Sequence, residues 1–172
     1  ERALRELCSE AGAVDARPAL AHTLRRNRLC LLQLANAQGQ TLLVRLANFL
    51  RPPERLAKFL GSDEVAKAGV GIHGDAVRLA KDWGLSLAGA LDLRFLVPPS
   101  GLETESWSLA GLAEASLGEL LDKSPKVVRS NWAAPDLSPA QIRYAAKDAQ
   151  IGLRIARRLI STVISTCPPP AS

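Results

Sequence analysis

The segment KAGVGIHGDAVRLAKDWGL, residues 67–85, decides the fold, because it reads as a strand, a tight turn and a helix in succession. The apolar run VAKAGVG over 65–71 predicts the strand, and its closing glycines predict a close turn. DAVRLAKDWG over 75–84 has helical periodicity and ends at Gly84, a residue favoured just after a helix. The next apolar run, ALDLRFLV over 90–97, predicts a second strand and completes a β-α-β unit.

Elements on either side extend this unit into a larger α/β domain. LCLLQLA (29–35) and TLLVRLA (41–47) flank a five-residue loop with a glycine, which predicts a β-hairpin. A mixed sheet flanked by helices, in one domain over residues 1–164, is the expected architecture, with a proline-rich tail over 165–172. Helices are predicted over 1–8, 52–59, 108–118 and 139–164.

Length and composition bound the class of protein. The 172 residues are enough for one domain with a buried core, and no apolar run reaches the eighteen residues of a membrane helix, so we expect a soluble protein without a membrane-spanning segment. The chain starts at Glu1 and contains no methionine, so we expect a fragment or a processed form. Cys8, Cys30 and Cys167 lack metal-binding spacing and predict reduced thiols of an intracellular protein.

The positive charge is concentrated in the first third of the chain. Residues 1–60 hold ten Lys and Arg against five acidic residues, whereas residues 61–172 hold twelve of each, and the net charge is +5. Arg25, Arg26 and Arg28 form the densest cluster, which suits a polyanion such as nucleic acid. The alternative is an ordinary solvated face.

Residues 69–74, GVGIHG, match the GxGxxG pattern of dinucleotide-binding turns. Asp92 follows eighteen residues later, near the spacing of an acid that binds ribose. However, Asp75 directly follows the third glycine and puts a carboxylate where a pyrophosphate would dock. A tight strand-to-helix turn is therefore the preferred interpretation, and an oxidoreductase that binds a nucleotide cofactor is the alternative.

Two further positions suggest metal chemistry. Asp75 stands in the first turn of a predicted helix, where the helix dipole keeps it ionised, as a metal ligand must be. Tyr144 and Asp148 are four residues apart in the longest predicted helix, so they share one face. In a phosphodiesterase such an acid would hold Mg²⁺ or Mn²⁺ and the phenol would orient the attacking water. An ordinary helix also accommodates such a pair.

These stretches, in this order, resemble the tyrosine-type DEDD 3′–5′ exonuclease family and its Werner-type members over residues 29–160. The resemblance implies a fold of the RNase H-like (DnaQ-like exonuclease) type with a mixed five-stranded sheet. It also implies that Asp75 and Asp148 are metal ligands, that Tyr144 positions water, and that two Mg²⁺ or Mn²⁺ ions act on single-stranded 3′ ends of DNA or RNA. The resemblance further implies an intracellular location, in the nucleus or mitochondrion, and a role in DNA repair.

The family's first motif, an Asp-x-Glu pair on the central strand, is not intact. Asp15 matches its aspartate weakly. Arg17 stands at the glutamate position, and its permanently charged side chain cannot bind a metal ion. The segment 11–14 is too short for a central strand and contains Gly12, and Pro18 would interrupt the hydrogen-bond ladder of a sheet. The first strand is therefore expected to be degenerate or missing. We therefore expect impaired catalysis.

Two functions remain open beside the cofactor-binding alternative. The first is a 3′–5′ exonuclease domain that uses the residues above, and the second is a non-catalytic nucleic-acid-binding pseudonuclease. In both, the arginine cluster and Lys147 are candidate phosphate contacts, and Trp132 is a candidate platform for a base. A solvated lysine, and a Trp132 that packs its loop against the final helix, are the structural alternatives. The sequence does not indicate an oligomeric state.

Overall fold

The computed structural model of the chain describes residues 28–121 and 124–166. Two small sheets and one long helix form its framework. In chain order the elements are β1 Leu32–Ala35, β2 Thr41–Val44, α1 Glu54–Gly61, β3 Lys67–Gly69, α2 Ile72–Trp83, β4 Ala90–Asp92, α3 Val97–Ser100, α4 Leu109–Leu117, α5 Pro125–Val128 and α6 Pro139–Thr166.

The predicted hairpin is confirmed: β1 and β2 pair antiparallel, with Leu34 opposite Leu42. Asn36 closes the turn because its side-chain Oδ1 accepts the backbone N–H groups of Gln38 (3.0 Å) and Gln40 (2.9 Å). Gly39 has a φ of 79°, a left-handed conformation that glycine adopts without steric cost. The strands are shorter than the apolar runs, since a 3₁₀ turn begins at Leu46.

The predicted β-α-β unit is also confirmed, since β3 and β4 pair in parallel on either side of α2 in sequence. Gly84 ends α2 in a left-handed conformation, and its N–H bonds the Ala80 carbonyl. The strand predicted over 90–97 is wrong beyond Asp92. There the Asp92 side chain accepts the Arg94 N–H and starts a 3₁₀ turn, and Pro98 lies in the first turn of α3.

The described residues contain four strands in two separate sheets, whereas one five-stranded sheet was expected. The predicted helix over 1–8 and the expected first strand, together with Asp15 and Arg17, lie outside the described residues. α5 was not predicted, because its four residues form only one turn after Pro125.

Helix α6 joins the two halves of the structure, since it packs against β1, β2 and β3 as well as α4. Ile155 and Leu159 of α6 are buried with Leu93 and Leu112 in one core cluster. A second cluster packs α1 and α2 beneath the hairpin around Trp83. The helix runs two residues further than its predicted end at 164, into the predicted tail, whose residues 167–172 lie outside the described part. No helix within the described residues is long and apolar enough to cross a membrane.

Candidate active site

A cavity of about 670 Å³ lies between the two sheets, and we call it the central cleft. Asp75 and Asp148 both line it, so the structure brings together two carboxylates that are 73 positions apart in sequence. No cluster of three or more His, Cys, Asp or Glu suited to a metal ion occurs in the described ranges. The walls include β1 residues Leu32–Ala35, β3 residues Lys67–Gly69 and, from α6, Asp148, Ala149, Gly152, Leu153 and Ala156.

Asp75 reaches the cleft because α2 begins abruptly after β3. Gly71 has a φ of 72°, and its carbonyl accepts the Gly74 N–H, so the chain turns into the helix within a few residues. Asp75 then occupies the first turn, where the helix dipole favours negative charge. Desolvation by the surrounding protein, assisted by the Asp92 charge, raises the pKa of Asp75, and Arg78 opposes that rise.

Tyr144 and Asp148 act as a pair on α6. The Tyr144 phenol donates a hydrogen bond to the Asp148 carboxylate, one helical turn away. Burial of the phenol, the Asp148 charge and this hydrogen bond all raise the pKa of Tyr144 above its usual value. The phenol therefore stays protonated at neutral pH, as a group that donates a hydrogen bond must be.

Trp132 packs beside Tyr144, with ring centroids 6.2 Å apart and an interplanar angle of 54°. Its indole N–H bonds the Val128 carbonyl at 3.2 Å, which ties the ring to the end of α5. The half-buried indole thus contacts the final helix, an arrangement that the packing alternative predicts.

Sequence reasoning missed the residues that hold this loop in place. Gln141 accepts the Ser138 N–H and donates to Ser130 Oγ (2.9 Å) and to the Asn131 carbonyl (3.1 Å). The Ser-x-x-Gln spacing of 138–141 is a capping-box signal that reveals part of this arrangement. Arg45, at the end of β2, donates to the carbonyls of Ala134 and Pro135, and no local signal predicts that contact.

Asp92 holds the turn before α2. Its side chain is buried and accepts the Gly71 N–H at 3.2 Å, the Arg94 N–H at 3.1 Å and the Arg94 guanidinium at 2.6 and 3.0 Å. Hydrogen bonds from Arg94 hold the pKa of Asp92 well below its usual range. The Asp92 carboxylate, whose spacing suggested a contact with ribose, is thus hydrogen-bonded within the protein.

The predicted nucleic-acid contacts fall into three groups. Arg28 lies 3.6 Å over the Trp83 ring and donates to the Asp82 carbonyl at 2.6 Å, so it ties the start of the described chain to the end of α2. Lys147 is exposed on α6 beside Asp148. Arg25 and Arg26 lie outside the described residues, as does Asp15.

Comparison with known proteins identifies the family. Residues 13–164 match the family model described as 3′–5′ exonuclease. Exonuclease 3′–5′ domain-containing protein 2 of Drosophila melanogaster is 38% identical over 134 residues, which are 78% of this chain and 23% of that protein. The bifunctional 3′–5′ exonuclease/ATP-dependent helicase WRN of Mus musculus is 33% identical over 78% of this chain and 10% of its own length. The chain thus spans less than a quarter of either relative.

Solved nuclease structures are also similar to the chain. A nuclease solved in its apo form is 24% identical, has a TM-score of 0.70, and aligns over 80% of this chain and 66% of its own. The EXD2 exonuclease domain soaked in Mn and Mg is 34% identical over 85% of this chain and 82% of its own, with a TM-score of 0.43. The expected RNase H-like fold is confirmed, and the resemblance to Werner-type exonucleases is confirmed with it. The chain belongs to the 3′–5′ exonuclease family.

Proposed function

We propose that the chain is a 3′–5′ exonuclease domain, over residues 1–164, that removes nucleotides from single-stranded DNA or RNA ends with the help of Mg²⁺ or Mn²⁺. One observation carries the proposal: in a member of this family, Asp75 and Asp148 line the same cavity, and Tyr144 is hydrogen-bonded to Asp148. We also propose a nuclear or mitochondrial location, which the family resemblance of the sequence implies.

The donor set at the cleft fits a hard divalent cation. Carboxylate oxygens suit Mg²⁺ and Mn²⁺, and Mg²⁺ is commonly held by one or two carboxylates with water completing its shell. Asp75 and Asp148 would therefore hold one hydrated ion. Such an ion lowers the pKa of a bound water and offsets charge on a phosphate.

The protein's own groups then have distinct roles. Asp75 and Asp148 would hold the ion, and the protonated Tyr144 phenol would orient the attacking water. Trp132 fixes the Tyr144 ring on one side and offers its outer face to a terminal base, while Lys147 meets the adjoining phosphate. Asp15 is the candidate third carboxylate.

A labelled single strand with an exposed 3′ end, incubated with the protein and Mn²⁺, tests the proposal. We expect stepwise shortening from the 3′ end, lost in Asp148→Ala and retained in the control Glu114→Gln, which removes an exposed acid from α4. Activity unchanged in Asp148→Ala would refute the site.

A non-catalytic nucleic-acid-binding protein is the second candidate. Among the described residues, only two carboxylates line the cleft, and Arg17 replaces an expected glutamate. In that case the same strand binds in a salt-sensitive manner without shortening. The cofactor-binding alternative has less support, because Asp92 and the Gly71 N–H are bonded to each other. Titration with NAD(H) should show no binding.

A further inference from the structure

Gln141, in the first turn of α6, uses its side-chain amide in two directions. The amide oxygen accepts the Ser138 N–H at 2.9 Å, and the amide nitrogen donates to Ser130 Oγ at 2.9 Å and to the Asn131 carbonyl at 3.1 Å. The residue is buried, so these protein groups take the place of water around it. Capping the helix requires only the amide oxygen, which a glutamate would supply equally well. The cap therefore does not account for the NH₂ group.

The NH₂ group of Gln141 holds the backbone directly before Trp132. Ser130 Oγ donates its own proton to the Val127 carbonyl at 2.6 Å, so the same oxygen can accept a hydrogen bond from Gln141. Asn131, whose carbonyl is the second acceptor, immediately precedes Trp132 in the chain. The two bonds therefore fix the backbone from which the Trp132 ring projects.

Arg45 fixes the same loop on the other side of Trp132. Its guanidinium donates to the Ala134 carbonyl and, at 3.3 Å, to the Pro135 carbonyl, two and three residues after the tryptophan. Residues 129–138 contain no helix or strand, so side-chain contacts and not a backbone ladder determine where this loop lies. Trp132 thus lies between two anchored points of the loop.

The anchored Trp132 ring in turn restricts Tyr144. The two ring centroids are 6.2 Å apart, within the range of packed aromatic pairs, and the ring planes are inclined by 54°. The hydrogen bond to Asp148 fixes only the phenol oxygen of Tyr144, whereas contact with Trp132 limits rotation of the ring itself. A displacement of about 1 Å at a group that takes part in a reaction can lower the rate about 10²-fold, so this restriction bears on catalysis.

We propose that Gln141 is a positioning residue for the active site. Its NH₂ group holds the segment 130–132, and through the Trp132 ring it keeps the Tyr144 phenol in the orientation that directs the attacking water. Gln141 contacts neither the proposed metal ligands nor Tyr144 by a hydrogen bond in the described structure, so it acts through Trp132. The proposal rests on the proposed function, because the water that the phenol orients belongs to that reaction.

Two substitutions separate this role from capping of α6. Gln141→Glu keeps an oxygen for the Ser138 N–H but has no N–H for Ser130 or Asn131. Ser138→Ala removes the hydroxyl that accepts the Gln141 N–H at 3.3 Å and keeps both bonds to the loop. With a labelled single strand and Mn²⁺, we expect kcat to fall about tenfold in Gln141→Glu with KM within about twofold, and both constants to stay within about twofold in Ser138→Ala. Thermal melts establish that both variants fold.

A second measurement needs no activity. Tyr144 is the only tyrosine in the chain, so 3-fluorotyrosine incorporated there reports its ring by ¹⁹F NMR. We expect the resonance to move in Gln141→Glu, and also in Ser130→Ala, which removes one acceptor of the NH₂ group from the loop side. The resonance should keep its position in Ser138→Ala.

An unmoved resonance in Gln141→Glu, or an equal movement in Ser138→Ala, overturns the proposal. If Gln141→Glu does not fold, Ser130→Ala decides in its place by the same criterion. A resonance that moves as expected in a chain that shortens no strand supports the link from Gln141 to Tyr144 and refutes the proposed function alone. Cleavage that is equally fast in the unsubstituted chain and in Gln141→Glu overturns the positioning role and leaves the proposed function standing.

Discussion

Replacing Asp92 by asparagine should destabilise the protein by about 2 kcal/mol. The substitution keeps the shape of the side chain, so it leaves no cavity, but it removes the charge that binds the Arg94 guanidinium at 2.6 and 3.0 Å. Hydrogen bonds to a charged group contribute about 1.5–3 kcal/mol, and Arg94, with 40% of its side chain exposed, regains part of this from water.

Urea unfolding followed by tryptophan fluorescence measures this loss, because Trp83 is buried in the core. With a slope of about 2 kcal/mol/M, the urea midpoint should fall by about 1 M. Glu119→Gln is the matched control, since Glu119 and Arg154 form an ion pair whose side chains are 36% and 48% exposed, and exposed pairs contribute about 0–1 kcal/mol. Equal losses in the two variants would refute the reasoning.

The same substitution predicts a pH dependence with a definite sign. Arg94 lowers the pKa of Asp92 in the folded chain, so the carboxylate stabilises the fold above the unfolded pKa of about 3.9. As the pH falls below about 4 toward the folded pKa, this contribution is lost, and the stability curves of the unsubstituted chain and Asp92→Asn should converge. Curves that stay parallel down to about pH 2.5 would contradict the assignment.

Substitutions at three further residues test other contacts. Tyr144→Phe removes the hydrogen bond to Asp148, so the rate of 3′ shortening should fall about 10²-fold while the melting temperature changes little; an unchanged rate would exclude the water-positioning role. Gln141→Ala removes the side-chain acceptor of the Ser138 N–H and the bonds to the 130–131 loop, so urea unfolding should show a loss of about 1–2 kcal/mol, and an unchanged midpoint would contradict this. Arg28→Ala should cost about 0.5–2 kcal/mol through the lost contact with Trp83. Arg28→Lys should restore part of that stability, and a variant that weakens only nucleic-acid binding would show that Arg28 acts at the surface.

Local signals predicted the elements that local contacts determine. Gly84 and Gly118 end α2 and α4, close to the predicted ends, because each acts on backbone groups a few residues away. The apolar run after Asp92 was misread as a strand, since periodicity does not show that the Asp92 side chain would bond the Arg94 N–H and start a turn.

Contacts between distant residues were beyond such signals. The charge of Arg28 suggested a surface patch, but its aromatic partner Trp83 is 55 positions away and appears only in the fold. Family resemblance, and not spacing, indicated that Asp75 and Asp148 belong to one site. The cavity that both carboxylates line was equally hidden, because it depends on how α6 packs against strands from both sheets.

The position of α6 has a consequence for synthesis of the protein. This helix is the last element in the described chain, yet β1, β2, β3 and α4 all pack against it. During translation the cluster around Leu93 and Leu112 therefore lacks its α6 partners, Ile155 and Leu159, until the last helix has left the ribosome. Nascent chains stalled before α6 should bind chaperones, and chains extended beyond it should resist protease.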